Sequence, residues 1–116
     1  MSLKSTLAIP FAKKARKKVY KWAYNPHKTQ QKIFKELIKK AKNTAFGKDH
    51  NFDKITSYSD FKKQVKVTDY EGLRPYVDRI IAGENNVLWK GKPLYFAKTS
   101  GTTSGAKYIP ITRESM

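Results

Sequence analysis

The sequence predicts an α/β beginning, in which about four helices lead into a β-strand, a loop and a second β-strand. Three observations carry that expectation. Apolar residues recur at steps of three and four through much of residues 1–93, capping and turn residues punctuate those stripes, and β-branched or aromatic segments flank a Ser/Thr/Gly-rich run at residues 99–107. A length of 116 residues sits within one domain.

The first helix is read from Phe11, Ala12, Ala15, Val19, Trp22 and Ala23. Their spacing makes a stripe of core or partner contact and leaves Lys13, Lys14, Lys17, Lys18 and Lys21 mainly on other faces. Asn25 followed by Pro26 opens a second helix, because asparagine caps well and a first-position proline loses no hydrogen bond. Ile33, Phe34, Leu37, Ile38, Ala41 and Ala45 form its apolar face, and Gly47 offers a left-handed stop beyond Phe46. Ser57 or Ser59 opens a short helix through Phe61 and Val65. Asp69 caps a fourth helix that carries Leu73, Tyr76, Val77, Ile80 and Ile81, with Pro75 expected early, in a tolerated first-turn position, and Gly83 ending the segment. Arg74, Asp78 and Arg79 read as a solvated or ion-paired face. Trp89 to Pro93 makes a turn into a strand at 93–98, which has the apolar density of a buried strand. Tyr108 to Thr112 is the second strand, with Pro110 restricted to an edge or bulge.

Charge is distributed unevenly. Twenty-five basic residues against nine acidic ones give +16, and residues 1–48 hold fourteen of the basic residues with one acidic residue. Such a bias raises a rival reading, a basic helical module that binds nucleic acid or an anionic membrane, with Tyr20, Trp22 and Tyr24 available to stack on bases. Two solvated helical faces explain the same lysines more simply. The longest apolar run near the start, Leu7 to Ala12, is far short of the roughly 18 residues a membrane span requires. His27 and His50 lack a second ligand at metal-like spacing and suit surface or capping positions. The absence of cysteine excludes disulfides and thiolate catalysis.

Chemistry concentrates in Thr99-Ser100-Gly101-Thr102-Thr103-Ser104-Gly105-Ala106-Lys107. Hydroxyls and glycine-exposed N–H groups donate to anionic oxygens, and Lys107 adds a compact positive charge, so the run suits phosphate. An ordinary Ser/Gly-rich hairpin turn has the same composition. The P-loop of nucleoside triphosphatases is excluded, since Gly101 and Gly105 stand too close together, Lys107 follows alanine, and a strand rather than a helix comes next.

The run resembles the phosphate-binding signature of the adenylate-forming superfamily, with Ser104 and Ala106 where that superfamily has a glycine and a proline. The variant Thr-Ser-Gly-Thr-Thr-Ser-Gly-x-Lys-Tyr-Ile-Pro is similar to the Gretchen Hagen 3 type acyl-acid amido synthetases. Asn43-Thr44-Ala45-Phe46-Gly47, Tyr58-Ser59-Asp60-Phe61, Val67-Thr68-Asp69-Tyr70-Glu71 and Arg74-Pro75-Tyr76 follow in the order found near the start of such proteins. The resemblance implies that residues 1–116 are an N-terminal piece of a large adenylating domain of luciferase-like fold, mainly helical over 1–93 and strand-loop-strand over 94–112. It implies a cytoplasmic ligase that uses ATP and magnesium to join a small carboxylic acid to an amino acid, with no specific nucleic acid and no membrane as partner. Carried over by position, Thr99, Ser100, Thr102 and Thr103 donate hydroxyls to the ATP phosphates, with Ser104 in the same run. Gly101 and Gly105 admit close backbone approach, and Lys107 is the catalytic cation. As a detached piece, the chain is expected to be inactive and to self-associate through uncovered apolar faces.

Overall fold

The computed structural model describes the backbone of residues 3–101 and 105–116, and the side chains of these from residue 6 onward. Five helices precede two strands: α1 (Leu3–Ala23), α2 (Pro26–Ala41), α3 (Ala45–Asp49), α4 (Tyr58–Gln64), α5 (Tyr70–Ile81), β1 (Tyr95–Lys98) and β2 (Tyr108–Ile111). Single 3-10 turns occupy Phe52–Lys54 and Arg113–Ser115. The chain divides into two compact units, Met1–Phe34 and Lys35–Met116.

In the first unit, α1 begins well before Phe11 and runs through Pro10. The expected stripe is not a core, since Phe11 is 76% and Trp22 52% exposed and Val19 is exposed as well. Tyr20 and Tyr24, one turn apart, stack with centroids 5.5 Å apart, and Arg16 lies over Tyr20 at 5.1 Å. Asn25 stands before Pro26 as expected, accepting the first helical bond from the Thr29 N–H at 3.0 Å. No helix among the described residues is long and apolar enough to cross a membrane.

The second unit holds the core, built from Ile38, Ala41, Phe52, Ile55, Val77, Ile80 and Val87. α2 stops at Ala41 rather than reaching Ala45, and Thr44 is the reason. Its hydroxyl, on a residue only 1% exposed, donates to the Ala41 carbonyl at 2.7 Å and accepts from the Gly47 N–H at 3.0 Å, closing one helix and capping the next. Gly47 is therefore inside α3, not a left-handed stop. A Cβ there would lie 3.0 Å from both the Ala41 carbonyl carbon and the Lys42 Cα, so it is close packing that calls for glycine. The first N–H groups of α3 are satisfied from far along the chain: Ala45 donates to the Asn86 carbonyl at 2.8 Å and Phe46 to the Val87 carbonyl at 3.0 Å. His50 closes α3, its Nδ1 2.8 Å from the Phe46 carbonyl and its ring stacked on Phe46 at 3.9 Å. Phe46 also meets Phe52 and Tyr76 edge to face.

Ser57 rather than Ser59 caps α4, in a reciprocal box with Asp60. The Asp60 carboxylate collects the N–H and hydroxyl of both Thr56 and Ser57, and these donors hold its pKa down to about 2. Asp69 caps α5 through the Gly72 N–H. Pro75 lies beyond the first turn of α5, a correction to the expected position, and its ring leaves the Glu71 carbonyl without its i+4 donor. Gly83, at φ +98°, ends α5 by a Schellman arrangement in which Glu84 N–H reaches the Arg79 carbonyl and Gly83 N–H the Ile80 carbonyl. Arg79 then grips Glu84 and Arg74 pairs with Glu71, the ion-paired face expected of two of the three charged residues.

Between α5 and β1, Asn86 and Gly91 close a loop, Asn86 N–H to the Gly91 carbonyl and Gly91 N–H to Asn86 Oδ1. β1 and β2 pair antiparallel, Tyr95 opposite Ile111 and Lys98 opposite Tyr108. With two strands, both are edges, which accommodates Pro110. β1 is exposed throughout, contrary to the buried strand expected, because a four-residue ribbon with one partner offers its faces to solvent. Beneath β2, Pro110 and Thr112 line a cavity of about 90 Å³ with Ile80, Val87 and Trp89. Past β2, Glu114 takes Lys40 and Lys90 at 2.9 Å each, and the two ammonium groups hold its pKa down to about 2.

Candidate functional site

The hydroxyl- and glycine-rich run is the bend between β1 and β2, as its flanking residue types dictate. The neck of that bend is closed by backbone and side chain together. Thr99 N–H donates to the Lys107 carbonyl at 3.0 Å, and Lys107 N–H donates to Thr99 Oγ1 at 3.2 Å. The Thr99 hydroxyl is thus engaged as an acceptor, while its own proton stays available to donate.

Gly101 and Gly105 both have positive φ, +45° and +81°. They need it for different reasons. A Cβ on Gly101 would run into the Gly105 carbonyl and lie 2.6 Å from the Ala106 nitrogen, so the two limbs of the bend close on each other there. A Cβ on Gly105 would meet nothing within 4 Å among the described residues. Ser100 is exposed and Thr99, Gly101 and Lys107 are half-buried. Thr102, Thr103 and Ser104 lie outside the described residues.

The Lys107 ammonium rests over the Tyr70 ring, 5.7 Å from its centroid. Tyr70 is the first residue of α5, and the Arg74 guanidinium sits at 5.7 Å from the same ring. The Tyr70 hydroxyl accepts from Tyr108 N–H at 2.9 Å and donates to the Tyr108 carbonyl at 3.3 Å. Lys98 lies 5.9 Å over the Tyr108 ring. Three cations therefore flank two tyrosine rings at the foot of the bend. Sequence reasoning placed Arg74 on a solvated or ion-paired face and gave Tyr70 no role. The only local signal was an aromatic directly after the Asp69 cap, and its contact lies 38 positions along the chain.

The aromatics of the rival reading do not act together. Tyr20, in α1, and Tyr24, just past its end, stack on each other, whereas Trp22 lies two residues from each. Among the described residues, no group of three His, Asp or Glu side chains could hold a metal ion.

Helices that lead into a two-stranded antiparallel hairpin, with glycines, hydroxyls and a lysine between its strands, define a mostly helical chain with a small sheet. Residues 15–116 match the GH3 family N-terminal domain, and the chain belongs to that family. It is 30% identical over 105 residues to indole-3-acetic acid-amido synthetase GH3.2 of Arabidopsis thaliana, an alignment covering 89% of this chain and 19% of that protein. It is 45% identical over 58 residues to indole-3-acetic acid-amido synthetase GH3.15 of the same plant, covering 48% of this chain and 10% of that protein. To jasmonoyl-L-amino acid synthetase JAR4 of Nicotiana attenuata it is 26% identical over 91 residues, covering 77% of this chain and 16% of the relative. The chain thus spans about a fifth or less of the length of these relatives.

Proposed function

We propose that this chain supplies the ATP phosphate-binding bend of an acyl-acid amido synthetase of the adenylate-forming kind, with a luciferase-like fold in the complete polypeptide and the cytoplasm as its setting. The reading rests on one observation: in this member of the family, the Thr99-Ser100-Gly101 to Lys107 run links β1 to β2 by a bend whose neck is closed by Thr99 and Lys107. The names of the relatives, which join indole-3-acetic acid or a jasmonoyl group to amino acids, support a carboxylic acid and an amino acid as substrates.

In this reaction a carboxylate oxygen attacks the α-phosphorus of ATP, the bond to the bridging oxygen breaks, and pyrophosphate leaves with the electron pair. An amine then attacks the acyl carbon, loses a proton, and AMP departs. The part given to this chain is the first half. Ser100, Thr102 and Thr103 donate hydroxyls to β- and γ-phosphate oxygens, as does the remaining proton of Thr99. Gly101 and Gly105 admit close backbone approach, Ser104 belongs to the same phosphate-binding run, and Lys107 offsets the charge that grows on departing pyrophosphate. Magnesium is the expected counter-ion of such a triphosphate. Among the described residues, no group of three carboxylates or histidines is placed to hold it.

The test is acid-dependent ATP–pyrophosphate exchange by the complete polypeptide, screened with a carboxylic-acid panel that includes indole-3-acetate and jasmonate. Lys107→Ala and Thr102→Ala should each lower exchange at least tenfold, since one charge-assisted hydrogen bond is worth about 1.5–3 kcal/mol. Unchanged exchange in both variants overturns the assignment.

A further inference from the structure

We infer that Tyr70 is the positioning residue for Lys107, its hydroxyl fixing the start of β2 to α5 and its ring carrying the lysine ammonium beside the phosphate-binding bend. The inference rests on the proposed function and adds to it a residue with no assigned part. A phenol hydroxyl is both donor and acceptor, and here it uses both capacities on one residue, Tyr108, the neighbour of Lys107. That double contact sets where β2 begins relative to the first turn of α5, a turn itself held by Asp69. The Lys107 stem has four rotatable carbons, and an ammonium with no resting place would spread over many rotamers. The ring at 5.7 Å provides that place without neutralising the charge, which a carboxylate partner would do. Arg74 approaches the same ring and is partly offset by Glu71 at 3.0 Å, so among the described residues the cation on Tyr70 without a carboxylate partner is Lys107.

MgATP affinity of the complete polypeptide, measured by isothermal titration with no acid present, tests this through a double-mutant cycle. Tyr70→Phe keeps the ring and loses two neutral hydrogen bonds, so affinity should fall about fivefold. Tyr70→Leu loses the ring as well and should cost about tenfold or more. In a Lys107→Ala background both effects should vanish, because a residue that acts through Lys107 has nothing left to position. A merely structural tyrosine would weaken binding equally with and without Lys107, and that result overturns the inference. So does unchanged affinity in Tyr70→Phe and Tyr70→Leu, or tighter binding when the ring is removed, which would mean that the ring holds the ammonium away from phosphate. If Lys107→Ala alone leaves MgATP affinity unchanged, the phosphate reading fails and the role of Tyr70 falls with it. Should either tyrosine variant lose its far-ultraviolet helical signal, the other completes the cycle.

Discussion

Gly101→Ala against Gly105→Ala separates a bend that closes on itself from one that is merely glycine-rich. Both residues have positive φ, so alanine at either costs about 1–2 kcal/mol in backbone conformation. Among the described residues, only at Gly101 does the new methyl meet backbone, 2.6 Å from the Ala106 nitrogen and closer still to the Gly105 carbonyl. Backbone cannot swing aside as a side chain can. Overpacking of this kind adds about 1–3 kcal/mol, which brings the total to about 2–5 kcal/mol for Gly101 against about 1–2 kcal/mol for Gly105. Amide hydrogen exchange at Thr99 and Lys107, whose N–H groups close the neck, reads this opening directly. Protection there should fall about thirtyfold or more in Gly101→Ala and by about five- to thirtyfold in Gly105→Ala. Equal losses in the two variants, or none in Gly101→Ala, would refute the reasoning.

Two further outcomes follow from the second unit. Thr44→Val, which keeps the shape but orphans the buried Gly47 N–H, should cost about 1–3 kcal/mol, whereas Thr44→Ser, which keeps both bonds, should cost about 1 kcal/mol or less. Urea midpoints at constant slope give the comparison, and serine doing worse than valine would contradict the capping role. Asp60 and Glu114 both ionise more readily folded than unfolded, so their contribution is complete above the unfolded values of 3.8 and 4.5 and is lost as the pH falls toward about 2. Asp60→Asn with Glu114→Gln should flatten that acid limb in thermal melts between pH 5 and pH 2, where an unchanged slope would show the carboxylates to be idle.

Local signals were legible wherever one residue type decides the structure. Ser57, Asp69 and Gly83 did what caps and stops do, and the strand-bend-strand followed from β-branched residues around a glycine-rich run. The failures came from partners distant in sequence. Gly47 reads as a stop when it stands alone, yet its reason is the approach of Ala41 and Lys42. β1 reads as buried from composition, although burial depends on what covers the ribbon. The stripe on α1 has helical spacing and lies open. At the site, the residue types placed the bend between two strands, while Tyr70 stayed silent because its two contacts with Tyr108 exist only once α5 meets β2.

The dependence of α3 on Asn86 and Val87 has a consequence for biosynthesis. A five-residue helix has too few bonds of its own to nucleate, and two of its opening donors are met by carbonyls some forty positions downstream. While a ribosome has released only the chain up to Ile81, Ala45 and Phe46 have water as their acceptor. The aromatic cluster around Phe46 then sets only after the Asn86–Gly91 loop has emerged.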